Sequence, residues 1–180
     1  NPFYCLAELL PNILSLQSPE IFNKDYSIIT PIYCEVGTPD FGVSAGHGKI
    51  GFTLRSFDNG TLVKLKTKIE DLIVKVCTKN KIGFNIMLKE PFSSISNNTE
   101  AFDFLRSSCL SLGYVFEEKE TPFSWGEDFG VFTEHFKGAM FGLGAGVSNA
   151  SLHNSEYDFP DEIIDTGTNL FESIIRNIQQ

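Results

Sequence analysis

The chain has 180 residues, 42% of them hydrophobic and 21% charged, proportions that suit a globular protein able to bury a core. Its formal charge of −9 argues against a nucleic-acid partner, because no cluster of Lys and Arg offsets the repulsion from phosphates. No apolar stretch is long enough to span a bilayer as a helix, so no membrane role is expected.

Pro2 at a first helical position, with Leu6, Leu9, Leu10, Ile13 and Leu14 on one stripe, predicts an opening helix. No methionine precedes it, which suggests a piece of a longer protein. Tyr26 to Glu35, rich in Ile and Tyr, reads as a strand, and Lys49 to Arg55 alternates polar and apolar residues as a half-buried strand does. A glycine-rich loop joins them. After a turn at Asp58-Asn59-Gly60, Leu62, Leu65, Ile69, Leu72, Ile73 and Val76 recur at helical spacing, with Lys64, Lys66, Lys68 and Lys75 on the wet face. Gly83 to Leu88 reads as a further strand.

The order helix, strand, strand, helix, strand is that of a ferredoxin-like layer lacking its first strand. Around Glu90-Pro91 the pattern changes. A helix from about Thr99 to Leu112, a short strand at Tyr114-Val115-Phe116, a helix at Glu127, a strand from Ala139 and a final helix from Pro160 then predict the edge of an α/β sheet. The final helix keeps Ile163, Ile164, Gly167, Leu170, Phe171, Ile174, Ile175 and Ile178 on one face, which is expected to pack on that sheet. The fold class is therefore α/β with an α+β first domain, divided into residues 1–91 and 92–180.

Cys5, Cys34, Cys77 and Cys109 have none of the paired spacing of zinc or redox motifs and read as buried free thiols in a reducing compartment. Glycosylation-type sequons at Asn59, Asn97 and Asn149 are set aside, because no leader supports secretion and a cytoplasmic location is expected.

The chemistry concentrates in the last third. Gly126-Glu127-Asp128-Phe129 is followed by the apolar run Ala139 to Gly146 and then by Leu152-His153-Asn154. An acidic pair, a glycine-rich strand end and a histidine beyond it are ingredients of a metal or acid–base centre at the carboxyl edge of an α/β sheet. The plainer readings stand beside this one. A lone histidine is by default a loop residue, Glu127-Asp128 is equally an acidic helix start, and His135 reads as exposed and structural.

The series Trp125 to Phe129, Phe141-Gly142-Leu143-Gly144, Leu152-His153-Asn154, Tyr157-Asp158-Phe159 and Asp161-Glu162 resembles the C-terminal end of the metal-dependent amidohydrolases of metallopeptidase family twenty. These aminoacylase-like enzymes hydrolyse N-acyl amino acids. Upstream, Asn1-Pro2 with its Leu-rich helix and Gly37 to Arg55 resemble the family's inserted lid domain, so the likeness covers nearly the whole chain. It implies a lid or dimerisation domain in residues 1–91 and the C-terminal part of the catalytic domain in residues 92–180. The family's histidine-rich metal motif and glutamate pair, which include the general base, are not in these residues.

By the same resemblance, His153 matches a histidine that ligates one of two divalent metals, expected to be Zn²⁺, with Mn²⁺ or Co²⁺ possible. Glu127 and Asp128 match an acidic pair beside the site, where a carboxylate can orient a ligating histidine. In the lid loop Gly42 and Ala45 stand where many members have asparagine and proline, so Gly42 and the nearby His47 are candidates for substrate contact. The implied activity is hydrolysis of a small N-acyl amino acid or related amide by a metal-activated water, in a homodimer paired through the lid. This chain alone is expected to be inactive. The alternatives are a non-catalytic dimerisation module and a ligand-binding module descended from the enzyme.

Overall fold

The computed structural model describes residues 1–123 and 125–179. These residues form two compact units, Asn1–Ser94 with Thr121–Gly126 and Ile95–Glu120 with Glu127–Gln180.

The first unit opens with α1 (Pro2–Leu14), whose N-cap Asn1 side chain accepts a hydrogen bond from the Phe3 amide. Two antiparallel strands follow, β1 (Ser27–Val36) and β2 (Gly48–Ser56), paired from Ser27 opposite Ser56 to Val36 opposite Gly48. A bulge between Pro31 and Tyr33 breaks the register, at a place where proline has no N–H to give the ladder. Beyond the bulge the Tyr33 ring lies over Gly51, where an added Cβ would come within 2.4 Å of it.

The long helix α2 (Asn59–Asn80) starts at Asp58, whose carboxylate accepts from the Gly60 and Thr61 amides at 2.8 and 3.1 Å. Hydrogen bonding to Thr61 holds this carboxyl below its ordinary pKa, as expected of a charged N-cap. The helix ends at Lys81, in a left-handed conformation with φ 55°. The Ile82 amide bonds back to the Cys77 carbonyl, and the Lys81 amide to that of Thr78. A lysine at this position costs about 1 kcal/mol relative to glycine, offset by Ile82 packing into the core.

That core lies between the sheet and the two helices. Cys5, Leu9 and Ile13 of α1 meet Leu65, Ile69, Val76 and Cys77 of α2 over Ile29 of β1, with Phe52 and Leu54 of β2 packed against them. Each fully buried leucine or isoleucine contributes about 2 kcal/mol.

In the second unit α3 (Thr99–Ser111) is capped by the Asn98 side chain on the Ala101 amide. It stops at Gly113, φ 73°, with the Gly113 amide on the Leu110 carbonyl and the Tyr114 amide on that of Cys109. The short α4 (Phe129–His135) and the terminal α5 (Ile163–Ile178) complete the elements. Leu105 and Cys109 of α3 bury Leu170 of α5, and Asn177 of α5 donates to the buried Ser108 hydroxyl at 2.8 Å.

Several expectations need correction. Gly83–Leu88, Tyr114–Phe116 and the run from Ala139 are not strands, because no described segment forms a ladder with them. The second unit therefore contains no sheet among its described residues, and α5 packs on α3 instead. Tyr114 and Phe116 turn toward that small core while Val115 is exposed, which explains the strand-like alternation in the sequence. The final helix begins three residues later than expected, since Pro160 and Asp161 form tight turns whose carbonyls accept from the Ile163 and Ile164 amides. Cys34 is exposed rather than buried.

Candidate functional site

The apolar run after α4 is fastened at its start by two asparagines. The Asn97 side chain donates to the Met140 carbonyl at 2.9 Å and accepts from the Met140 amide at 2.8 Å, as a neighbouring strand would. The Asn98 amide donates to the Gly138 carbonyl at 2.9 Å. Lys137 and Glu100 pair beside them. Farther along the run, Phe141 packs on Phe171 with ring centroids 5.7 Å apart, and Leu143 sits against Gly167, where a Cβ would come within 3.4 Å. Gly167 thus lets the run approach α5 closely.

Beyond this contact the chain opens into a cleft of about 630 Å³. Its walls include Leu143, Ala145, Leu152, Phe159, Ile164 and Phe171, so the lining is mainly apolar. His153 is the residue after Leu152 on this wall. It is exposed, and its φ of 68° lies in the left-handed region. The Asn154 amide bonds to the Ser151 carbonyl at 3.0 Å, closing a turn with His153 at its third position, which takes a positive φ in turns of types II and I′. The Asn154 side chain then accepts from the Glu156 amide at 2.9 Å, and its carbonyl accepts from Tyr157 at 3.0 Å.

A non-glycine residue held there stores about 1 kcal/mol of strain, a feature that concentrates at functional positions. An exposed imidazole on a braced turn is available to act as a ligand or hydrogen-bonding group.

Glu127 and Asp128 are both exposed and immediately precede α4. Asp128 occupies the cap position, but its side chain makes no capping bond, so the reading of this pair as a helix-start device is not realised by hydrogen bonding. Among the described residues no hydrogen bond or ion pair joins either carboxylate to His153, and no three His, Cys, Asp or Glu side chains converge as a metal cage. His135 is exposed at the last position of α4.

Gly42 and His47 belong to the first unit, on the loop between β1 and β2. Both are exposed. The loop is closed at its base by the Gly37 amide on the His47 carbonyl at 3.0 Å, and the Gly42 amide donates to the Asp40 carboxylate at 3.2 Å. Gly37 has φ 64°, and a Cβ there would fall 2.8 Å from that of Ala45, so the tight base requires glycine.

Sequence reasoning missed Asn97, which it saw only as a sequon. Its partner is 43 positions away, and no local pattern announces that contact.

The strain at His153 has a measurable consequence. Replacing His153 by glycine in this chain is expected to leave the thermal midpoint unchanged or raise it, by up to about 1 kcal/mol of stability, whereas valine lowers it. A melting curve that drops for His153→Gly would show that the imidazole makes a structural contact, and the turn would not be a strained perch.

Comparison with known proteins bears on the family. The profile of Peptidase family M20/M25/M40 matches residues 20–177. An N-acetyldiaminopimelate deacetylase of Leuconostoc mesenteroides is 27% identical over 124 residues, covering 68% of this chain and 32% of the relative. One from Lactobacillus helveticus is 25% identical over 172 residues, covering 95% of this chain and 44% of the relative. The crystal structure of the Bacillus subtilis YXEP protein, described as a dinuclear metal-binding peptidase of the M20 family, superposes with a TM-score of 0.71 at 12% identity, over 97% of this chain and 45% of that one. That likeness shows a shared fold. The chain spans less than half the length of each of these relatives. With the family profile matched over most of its residues, the chain belongs to Peptidase family M20/M25/M40.

Proposed function

We propose that this chain is the lid and C-terminal catalytic portion of a metal-dependent amidohydrolase that cleaves a small N-acyl amino acid or related amide. The observation that carries the reading is His153, held on a strained, exposed turn beside an apolar cleft, within the residues that match the family profile. Relatives named as N-acetyldiaminopimelate deacetylases support the substrate class. In this reading residues 1–91 form the lid, a ferredoxin-like layer lacking its first strand, of which α1, β1, β2 and α2 are formed, and residues 92–180 the end of the catalytic domain.

His153 fits one place in a metal's coordination shell, because an exposed imidazole is a good donor to Zn²⁺, Mn²⁺ or Co²⁺. It does not complete that shell, and the described residues offer no converging cage. In this reading the remaining ligands and the general base come from outside these residues, as they would in a two-metal centre of which this chain supplies one donor. When bound, the metal supplies Lewis-acid polarisation of the scissile amide carbonyl. His153 fixes its share of the site through the turn at Ser151–Asn154, and Glu127 and Asp128 keep the place beside the site that the family resemblance implies, where their charge would favour a cation. Gly42 and His47 are offered for substrate contact from the lid loop. A cytoplasmic location suits the unpaired thiols Cys5, Cys34, Cys77 and Cys109; no helix of the described residues is long and apolar enough to cross a membrane.

The protein as its source cell makes it should hydrolyse N-acetyl amino acids, lose activity to a chelator, and lose about a hundredfold or more when His153 becomes alanine. Full activity in His153→Ala, or hydrolysis indifferent to chelation, would overturn the reading.

A second reading, pairing of two copies through the lid, is favoured by β1. Its outer half from Pro31 to Glu35 is exposed, with Ile32 at 60% and Tyr33 at 48%. Sedimentation should then show a homodimer that Ile32→Lys weakens; a monomer at high concentration would count against it.

A further inference from the structure

Cys5 of α1 and Cys77 of α2 lie 72 positions apart in sequence, yet their sulfur atoms are 3.6 Å apart. Both are free thiols and nearly inaccessible, at 2% and 3% exposure, inside the core shared with Leu9, Ile13, Leu65 and Ile69. The candidate site uses neither. The contact joins the two helices of the layer that covers the sheet.

We infer that Cys5 and Cys77 are a peroxide-driven disulfide pair that, when oxidised, staples α1 to α2. The first thiol, once deprotonated, attacks the O–O bond of hydrogen peroxide. That bond breaks, one oxygen leaves as hydroxide and takes a proton to become water, and the sulfur becomes a sulfenic acid. The second sulfur then attacks the first, the S–O bond breaks, and the departing oxygen leaves as a second water with the remaining protons. Two thiols lose two electrons in all, and one peroxide gains them.

Bond formation must bring the sulfurs from 3.6 Å to about 2.05 Å, a movement of the scale that side-chain rotation and small helix shifts supply. A small oxidant suits the place, because a mixed disulfide with a bulky thiol would not fit a core this closely packed.

The surroundings of the pair make it slow to react. Burial, with the Cys5 thiol as hydrogen-bond neighbour, pushes the Cys77 thiol up to about 11, so little thiolate exists at neutral pH. Exposed Cys34 is therefore oxidised first, and the staple forms on sustained exposure.

The test uses the protein as its source cell makes it, with Cys34→Ser, alongside the unaltered protein. After hydrogen peroxide treatment, remaining thiols are alkylated under denaturing conditions and the digest is mapped by mass spectrometry. The expected result is a peptide joining Cys5 to Cys77, lighter by two hydrogens than the reduced pair. Its appearance should accompany a rise in melting temperature of roughly 10 °C, reversed by dithiothreitol and absent in Cys77→Ser. Recovery of Cys5 and Cys77 as separate alkylated peptides, as sulfinic acids, or joined to Cys109 would overturn the inference. If Cys34→Ser fails to fold, the digest of the unaltered protein decides between the same outcomes.

Discussion

The burial of one stripe of α1 and one stripe of α2 against a single face of the β1–β2 pair is the interaction on which the first unit rests. A two-stranded ribbon is at best marginally stable in water, so the ladder from Ser27 to Val36 persists because Ile29, Phe52 and Leu54 find cover under Leu9, Ile13, Leu65 and Ile69. Ile13, with no exposed surface, sits at the centre of that contact. The loop bearing Gly42 and His47 is held by the same sheet, since its base at Gly37 and His47 extends the end of the ladder. A disulfide across Cys5 and Cys77 would tighten the very contact that holds the layer together.

The second unit solves the same problem with less material. Leu105, Cys109 and Leu170 form its buried cluster, while Ile164, Phe171, Ile175 and Ile178 of α5 are each more than half exposed. Local devices carry more of the order there: the Asn98 cap, the glycine stop at Gly113, the Asn97 clamp on Met140 and the successive turns around His153. These devices fix the backbone of the loop, and among the described residues no cage of ligands forms.

How much of this was legible depended on whether the physics was local. The first two helices showed in the 3.6-residue stripes of Leu9 and Ile13 and of Leu65, Ile69 and Val76, and both formed. The paired strands showed in their alternation. Gly83–Leu88 and the run from Ala139 carried a strand's composition too, but a strand exists only with a ladder partner, and composition cannot say whether one is present. The Cys5–Cys77 contact and the Asn97 clamp join residues 72 and 43 positions apart, beyond any window of periodicity. His153 was singled out because an ordered series of motifs resembled a family, and the profile match over residues 20–177 established that membership. The left-handed backbone at His153 was not legible beforehand, since histidine takes a positive φ more often than most residues but still in only a small minority of positions.

Everything proposed for the second unit turns on His153 being a metal ligand, and X-ray absorption at the metal edge reads that directly. The protein as its source cell makes it, loaded with zinc, would be compared with its His153→Ala variant. Ligation by His153 predicts imidazole scattering in the first shell, with one nitrogen at about 2.0–2.1 Å missing from the variant. An unchanged first shell in both proteins, at equal metal content, would contradict it.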